Sequence, residues 1–465
     1  RQALHVLMAD EAYPVGPGPS RESYLNQERV LDVARRTRAD AIHPGYGFFA
    51  ENAAFAHACE AAGITFIGPT PKTIEGLGDK LKARAAAQRA GVPVVPASEG
   101  ALGSLAEART IAAEIGYPVM LKAAAGGGGK GMRVIRGEHE LESAWELARG
   151  EALTAFGDER MYAERFIERP RHVEAQILAD TDGHVVFVGE RECSVQRRHQ
   201  KLLEETPSPA MNATQRAAFG DAACRVAKTV GYRNAGTVEF LLDEQGRFYF
   251  LEVNTRLQVE HPVTEMVTGL DLVAEQIRIA EGRGFGFGDT PPAPRGWAIE
   301  VRVIAEDPRR QFMPSVGTIE RVRFPQGPGV RNDAGVYRGY TIPVFYDSLL
   351  SKLVVWGQDR EQARHRLLRA VDEFVLDGVA HNLMFHRWLA SHERFAAGDL
   401  STRFIDEHFD PALLAPGSES TQAALIAAAL HAREEYDRVA VRDDRDPAGR
   451  SAWKWGPRVR NGRSR

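Results

Sequence analysis

The chain has 465 residues, a length typical of about three domains. Hydrophobic residues make up 43% of it, and 59 basic against 63 acidic side chains give a formal net charge of −4, which argues against non-specific nucleic-acid binding. Three widely separated cysteines exclude a disulfide framework and a cysteine-rich zinc site, and no apolar run reaches the ~20 residues of a membrane span, so we predict a soluble, cytoplasmic protein.

The N-terminal part of the chain alternates short apolar runs with a helix-like stretch. Ala41–His43 and Thr65–Ile67 both end at turn residues and predict buried strands, and residues 53–62 between them predict a helix. This order is typical of an open parallel α/β sheet, whose ligands bind beyond the carboxyl ends of the strands. Because the chain opens on Arg1 and reaches an apolar run almost at once, we expect a segment to be missing before it.

A glycine-rich stretch, residues 126–131, lies between two strand-like runs, Tyr117–Lys122 and Met132–Ile135. It formally matches GxGxxG, but dinucleotide binding needs a helix directly after the loop, and a Walker A loop needs Ser or Thr after Lys130. A glycine loop between strands instead makes a flap whose backbone N–H groups can fold over phosphates. The alternative is a plain flexible hairpin tip.

Residues 237–254 contain two β-rich runs around a polar segment and predict a β-hairpin. If Gln245-Gly246 is a two-residue loop, Glu239 lies opposite Glu252, and Asn254 shares the face of Glu252. Two opposed carboxylates repel each other unless a cation lies between them. Carboxylate and amide oxygens suit Mg²⁺, which leaves room for nucleotide phosphates. The alternative is an exposed polar face on an edge hairpin.

Alternation continues beyond this hairpin and predicts that Arg256, Gln258 and Glu260 lie on one side of an extended strand. An arginine, an amide and a carboxylate beside a metal can bind and deprotonate a small oxyanion. An ordinary solvated strand face fits the same pattern.

Two basic clusters, residues 169–172 and 196–201, would neutralise phosphate and carboxylate groups in an anion site, although each also fits a charged turn. Cys193 precedes the second cluster without a partner that would lower its pKa, so we interpret it as a buried structural cysteine. The basic tail, residues 450–465, is interpreted as disordered, with nucleic-acid or membrane binding as the alternative.

Taken in order, these motifs resemble one family. The chain is similar to the ATP-grasp enzymes, and within them to the biotin carboxylases, over about residues 1–410. The strings that carry the resemblance are His43 to Phe48, Gly78 to Lys80, Gly126 to Met132, Arg171 to Glu174, Gln196 to Lys201 and Glu252 to Pro262.

The resemblance implies a multidomain α/β and α+β fold. We expect an N-terminal domain over 1–93 with an incomplete open parallel α/β sheet, because the family's first strand and helix are absent. An ATP-grasp lid with the glycine loop would cover 94–168, an ATP-grasp catalytic domain 169–290, and a mixed α/β biotin carboxylase C-terminal domain 291–408. A helix over 422–433 and the basic tail would follow within 409–465.

The resemblance also implies a ligase with a two-step reaction. Bicarbonate would attack the γ-phosphate of ATP, with two Mg²⁺ or Mn²⁺ ions bound, and the carboxyphosphate formed would deliver CO₂ to N1′ of biotin. Because no Met adjoins a Lys, the chain lacks a Met-Lys-Met acceptor, and biotin would sit on a separate biotin carboxyl carrier protein. Carboxyltransferase subunits of an acetyl-CoA or acyl-CoA carboxylase and a homodimer are further expected, with no nucleic-acid or membrane partner.

Site residues are implied by matching motif. For ATP they are Lys80, Lys122, Gly128, Gly129, Glu164, Arg165, Phe166, Ile167, His172 and His199, with Glu239 and Glu252; for the metals they are Glu239, Glu252 and Asn254. Lys201, Arg256 and Val259 would hold bicarbonate, Glu260 would be the base that deprotonates it, and Arg302 would stabilise the biotin enolate. Another ATP-grasp ligase with an acyl-phosphate intermediate is the alternative function.

Overall fold

The computed structural model describes residues 2–125, 131–415, 422 and 425–434. These residues belong to two compact units, Arg1–Pro411 and Ala412–Arg465. In the second unit, residues 425–434 are helical, within the stretch where a helix is predicted. Gly128, Gly129 and the basic tail lie outside the described residues.

The helices and strands follow in chain order. The helices are α1 (Leu4–Met8), α2 (Gln27–Thr37), α3 (Ala53–Ala61), α4 (Pro71–Gly78), α5 (Lys80–Arg89), α6 (Leu105–Ile115), α7 (Glu138–Phe156), α8 (Ala213–Thr229), α9 (His261–Thr268), α10 (Leu272–Ala280), α11 (Arg360–Glu373), α12 (Leu383–Ser391), α13 (Glu393–Ala396) and α14 (Phe404–His408). The strands are β1 (Ala41–Ile42), β2 (Thr65–Phe66), β3 (Val119–Ala123), β4 (Met132–Ile135), β5 (Met161–Arg165), β6 (Arg171–Ala179), β7 (Val185–Arg197), β8 (Gln200–Thr206), β9 (Asn234–Leu242), β10 (Phe248–Asn254), β11 (Trp297–Ile304), β12 (Glu306–Asp307), β13 (Met313–Pro314), β14 (Arg321–Arg323), β15 (Val330–Ala334), β16 (Leu349–Gly357) and β17 (Val375–Asp377).

The N-terminal region has the predicted strand–helix–strand order. β1 and β2 pair in parallel, with Ala41 opposite Thr65, and α3 connects them. Asn52 caps α3, because its side chain accepts a hydrogen bond from the backbone N–H of Phe55 at 2.8 Å. The predicted parallel α/β arrangement is confirmed for these elements.

The lid is a separate three-stranded antiparallel sheet in the order β4-β3-β5. Helices α6 and α7 bury one side of it around Leu121, Trp145 and Met161. The strands on either side of the glycine stretch pair with each other, with Lys122 opposite Met132, so the predicted strand–glycine loop–strand order is confirmed.

One antiparallel sheet of eight strands carries the rest of the first unit, in the order β10-β9-β6-β7-β8-β11-β16-β15. Strands from before and after the Pro/Gly-rich segment 282–294 share this sheet, because β8 pairs with β11 from Thr206–Ala298 to Leu203–Val301. Residues from both sides of that segment therefore reach a common surface.

Period-two alternation gives the sheet one apolar and one polar face. On the apolar face, Val173 of β6 and Phe240 of β9 pack with Phe219 of α8 in a buried core. The neighbouring residues of the same strands, including His172 and Glu239, point to the opposite face. That polar face holds the candidate site.

Candidate active site

A row of three carboxylates crosses three neighbouring strands on the polar face. Glu174 of β6 lies opposite Glu239 of β9, which lies opposite Glu252 of β10. Glu174 and Glu239 are buried, and Glu252 is half-buried. Because like charges so close together repel strongly away from water, this row requires cations beside it.

The pairing of Glu239 with Glu252 was predicted correctly, although the predicted loop is wrong. Backbone hydrogen bonds from Asp243 to Arg247 and from Gly246 to Asp243 close a three-residue loop, with Gly246 at a φ of +75°. That loop alone would shift the register by one residue. A β-bulge between Phe250 and Glu252 shifts it back.

Lys201 of β8 supplies one cation to the row. Its Nζ donates to Glu174 Oε2 at 2.6 Å and to Glu239 Oε1 at 2.9 Å. A third hydrogen bond reaches Glu260 Oε1 at 2.7 Å. Burial alone would lower the pKa of Lys201, but attraction to these carboxylates raises the pKa well above its ordinary value. Lys201 is therefore a fixed positive charge.

Glu239 is the most heavily contacted carboxylate in the row. Besides Lys201, Asn254 Nδ2 donates to its Oε1 at 2.8 Å, and His172 Nε2 lies 3.0 Å from its Oε2. Burial opposes its ionisation, but Lys201 and His172 hold the pKa of Glu239 well below its ordinary range. Glu239 is therefore ionised.

The hairpin offers the donor set that a hard divalent cation needs. Glu239, Glu252 and Asn254 all present oxygen atoms on one face. Burial and the adjacent Glu239 raise the pKa of Glu252, which shows that the site has too little positive charge around this carboxylate. Oxygen ligands with uncompensated negative charge fit Mg²⁺ or Mn²⁺.

The segment after β10 differs from its prediction. The strand ends at Asn254, and residues 255–260 form an irregular loop that leads into α9, so the predicted continuous strand is wrong. Gln258 and Glu260 nevertheless reach the carboxylate row, since Gln258 Nε2 donates to Glu239 Oε1 at 2.9 Å. Arg256 lies at its edge, where Nη2 donates to Asn254 Oδ1 at 3.2 Å.

Glu260 connects this cluster to the strand after the Pro/Gly-rich segment. Its Oε1 accepts from Lys201, and its Oε2 lies 3.0 Å from Arg302 Nη2 on β11. Although burial opposes ionisation, Lys201 and Arg302 hold the pKa of Glu260 far below its ordinary value. Glu260 is therefore a buried, ionised carboxylate between two cations.

A second group of cations lies towards the lid. Lys122 of β3 forms a buried ion pair with Glu164 of β5. Lys80 begins α5, and burial lowers its pKa. His199 occupies the turn between β7 and β8 at a φ of +67°, and burial and the positive charge of Lys122 lower its pKa. Together with His172, these side chains form a cluster suited to phosphate groups.

The remaining predicted residues lie around this cluster. Arg165 ends β5 with its side chain exposed, where Nη2 donates to the carbonyl of Ile115 at 3.0 Å. Phe166 and Ile167 follow it, both half-buried, in the connection towards β6. Val259 is half-buried, and its backbone carbonyl accepts a hydrogen bond at 2.9 Å from Lys352.

Sequence reasoning missed several residues that support the site. Arg191 is fully buried, and its Nε donates to Glu174 Oε1 at 2.5 Å, which orients the other oxygen towards Lys201. Glu51 accepts from Arg256 Nε at 2.9 Å, and Glu204 accepts from Arg302 Nε at 2.7 Å. Charged residues inside apolar strands were the available signal for Arg191 and Glu204. Glu51 had none, because its partner is far away in the chain.

Cys193 is fully buried, as predicted, and burial raises the pKa of its thiol well above the ordinary value. A thiol kept protonated in this way is a poor nucleophile. The structural interpretation of Cys193 is therefore confirmed.

Comparison with known proteins agrees along the chain. Residues 1–74 match the biotin carboxylase N-terminal domain, residues 79–286 the ATP-binding domain of the carbamoyl-phosphate synthase L chain, and residues 300–407 the biotin carboxylase C-terminal domain. Biotin carboxylase 1 of Bacillus subtilis is 50% identical over 409 residues, which cover 88% of this chain and 91% of that protein. The chain belongs to the biotin carboxylase family.

Further relatives and solved structures point the same way. The biotin carboxylase of Nostoc sp. is 51% identical, with coverage of 88% of this chain and 91% of that protein. The biotin carboxylase domain of Hydrogenobacter thermophilus 2-oxoglutarate carboxylase, a dimer in complex with MgADP, ADP and bicarbonate, superposes with a TM-score of 0.86 at 47% identity, covering 90% of this chain and 91% of that chain. Biotin carboxylase from Campylobacter jejuni gives 0.86 at 44%, covering 88% and 91%.

The expected fold class and activity class are thereby confirmed. The chain is an ATP-dependent ligase of the ATP-grasp type that carboxylates biotin. No helix among the described residues is long and apolar enough to cross a membrane.

Proposed function

We propose that the chain carboxylates carrier-bound biotin with bicarbonate through carboxyphosphate, and that the polar face of the large sheet is its active site. The contact that carries the proposal is the position of Glu260, whose two oxygens lie against Lys201 and Arg302. A base between two cations can serve an anion bound by one of them and a developing anion bound by the other.

ATP would lie between the lid and the sheet. Lys80, Lys122 and His172 supply positive charge for its phosphates, His199 lies beside them, and Glu239, Glu252 and Asn254 are the metal ligands. Residues 164–167 would contact adenine, and Gly128 and Gly129 are proposed to cover the phosphates. Bound Mg²⁺ or Mn²⁺ would supply charge neutralisation at the transferring phosphoryl group.

Bicarbonate would be held by Lys201, Arg256 and the backbone of Val259. Because the pKa of Glu260 is depressed, this carboxylate is free of a proton and can accept one from bicarbonate. The oxygen that loses its proton then attacks the γ-phosphorus of ATP, the bond to the β–γ bridging oxygen breaks, and ADP leaves. Lys201 and Arg256 keep the anion oriented for this attack.

Arg302 would act in the second step. Its Nε and Nη2 are engaged by Glu204 and Glu260, whereas its Nη1 makes no hydrogen bond with any described residue. Nη1 can donate to the ureido oxygen of biotin as negative charge develops there. N1′ then forms a bond to the carbon of CO₂, released from carboxyphosphate by cleavage of its C–O bond to phosphate.

The biotin would be carried by a separate biotin carboxyl carrier protein, with carboxyltransferase subunits using the product. A homodimer is supported by the solved dimer of the 2-oxoglutarate carboxylase domain. Acetyl-CoA or another acyl-CoA is the proposed final acceptor. Relatives whose names place them in pyruvate carboxylase and in propionyl-CoA carboxylase keep other acceptors in the test.

The test is a balance of products from the purified chain with ATP, MgCl₂, ¹⁴C-bicarbonate and free biotin. We expect ADP and labelled carboxybiotin to form only when bicarbonate and biotin are both present at full rate, and replacement of Mg²⁺ by Mn²⁺ to support the reaction. ADP formation that is indifferent to bicarbonate would favour another ATP-grasp ligase. Addition of candidate carrier and transferase subunits with individual acyl-CoA compounds then identifies the acceptor.

A further inference from the structure

The strand that carries Arg302 loses its neighbour at this residue. Among the described residues, the ladder between β11 and β8 ends with Val301 opposite Leu203. On the other side, the register with β16 shifts between Val303 and Ile304. Buried backbone groups that leave a ladder need other partners. The backbone at Arg302 is therefore a point where side chains must complete the sheet.

Asn382, which caps α12, takes the place of the missing strand. Its Nδ2 donates to the carbonyl of Arg302 at 2.9 Å, and its Oδ1 accepts from the N–H of Ile304 at 2.8 Å. Its own backbone N–H donates to the carbonyl of Ile304 at 3.2 Å. One fully buried asparagine thus makes the contacts that a paired strand would make.

His386, one turn further along α12, provides a second donor to the same carbonyl. Its Nε2 lies 2.8 Å from the oxygen of Arg302, and a carbonyl oxygen only accepts, so Nε2 carries the proton. Burial lowers the pKa of His386 to about 4, so the ring is neutral at physiological pH. The Arg302 carbonyl is consequently held by two buried donors from one helix.

Arg302 is thereby fixed at both ends. Glu204 and Glu260 hold its guanidinium, while Asn382 and His386 hold its backbone. In contrast, neither α12 residue contacts a metal or bicarbonate residue assigned above.

We propose that Asn382 and His386 are positioning residues for carboxyl transfer to biotin, which they serve by holding the Arg302 backbone where the guanidinium meets the ureido oxygen. This inference rests on the proposed function of Arg302. Small displacements of a catalytic group, of about 1 Å, can cost about 100-fold in rate. Loss of the clamp should therefore uncouple ATP cleavage from biotin carboxylation.

The experiment measures carboxybiotin formed per ADP formed, with free biotin, in His386→Leu and His386→Gln. We expect this ratio to fall about tenfold or more in His386→Leu, because the donor is lost. In His386→Gln the amide can still donate, and the ratio should stay within about twofold of the unmutated chain. Both products come from the same sample, so the ratio is independent of the folded fraction.

Phe385→Leu is the matched control. Phe385 is the preceding residue of α12, is fully buried, and packs on Phe312 and Phe409. Its truncation loosens the helix without removing a donor to Arg302, so its ratio should stay near that of the unmutated chain. If His386→Leu keeps its ratio, or if Phe385→Leu loses as much, the positioning role is refuted.

Arg302→Ala, assayed in parallel, separates this inference from the proposed function. An unchanged ratio in Arg302→Ala would overturn the role of Arg302 itself. A lowered ratio in Arg302→Ala with an unchanged one in His386→Leu would overturn the clamp alone. Should His386→Leu yield no folded protein, Asn382→Asp decides by the same criterion, because the carboxylate keeps the acceptor for Ile304 but cannot donate to Arg302.

Discussion

Lys201 is the residue on which the charge balance of the site depends. Its ammonium group is the shared donor to Glu174, Glu239 and Glu260, all of which are buried. Without it, three carboxylates would face one another with only partial compensation from Arg191 and Arg302. Removal of one partner from a buried ionic network is therefore much more costly than loss of an exposed pair.

Lys201→Met should lower the free energy of unfolding by about 3–5 kcal/mol and abolish bicarbonate-dependent ATP cleavage. Thermal or urea unfolding measures the first effect and ADP release the second. Lys201→Arg keeps the charge and should recover most of the stability. Equal stability of Lys201→Met and the unmutated chain would contradict the assigned charge balance.

His386 makes a prediction on acid stability. Its pKa is about 4 in the folded chain and 6.5 as an ordinary value, because burial opposes the charged ring. Between these pH values the unfolded chain binds a proton that the folded chain does not, so stability falls as pH falls from 6.5 to 4. His386→Gln should show a shallower loss of melting temperature over this range. His261, whose pKa is lowered to about 3, stays in both proteins as a common background.

At the scale of elements, the β9–β10 hairpin shows what sequence can and cannot predict. The opposition of Glu239 and Glu252 was predicted from alternation and loop length, whereas the actual loop has three residues and the register is recovered by a bulge. Nothing in the apolar run 248–251 marks the bulged position. The side that a residue faces was therefore predictable here, but not the local backbone that puts it there.

The segment after this hairpin was predicted less well. Alternation of polar residues over 256–260 fits a strand, but Glu260 precedes Pro262 at the start of α9. Proline near the first helical position and the tertiary contacts of Glu260 override the alternation. The proximity of Gln258 and Glu260 to Lys201 comes from tertiary structure rather than from strand period.

Glu252→Gln tests the metal interpretation of the hairpin. Loss of one negative charge from an oxygen ligand set should weaken Mg²⁺ binding, measured by calorimetry with MgCl₂ alone, and abolish ATP cleavage. Glu244→Gln, in the exposed loop of the same hairpin, removes the same charge outside the ligand set and should change neither. Unaltered Mg²⁺ affinity and cleavage in Glu252→Gln would refute the assignment.

At the scale of the whole first unit, the site is assembled from segments that are far apart in sequence. Motif order identified the family and most of the candidate residues, since each motif is local. Contacts such as Glu51 with Arg256, and Lys352 with Val259, join separate regions. No pattern within either region predicts such a pair, so these contacts needed the structure.

Lys352 shows how such a contact can matter. It is buried on β16 directly opposite Arg302, and its ammonium lies 5.7 Å from the centre of the Tyr46 ring while it donates to Val259. Lys352→Met should raise the KM for bicarbonate about tenfold, since the carbonyl of Val259 loses its donor and the loop is freer. Lys228→Met, on the exposed side of α8, is the control and should have no effect.

The central claim is that an oxygen of bicarbonate attacks ATP at this site. With ¹⁸O-labelled bicarbonate, the attacking oxygen becomes bonded to phosphorus and stays there when the C–O bond of carboxyphosphate breaks. We therefore predict one ¹⁸O atom in each phosphate released during biotin carboxylation, measured by mass spectrometry. Phosphate that carries no label from bicarbonate, formed in step with carboxybiotin, would contradict the account.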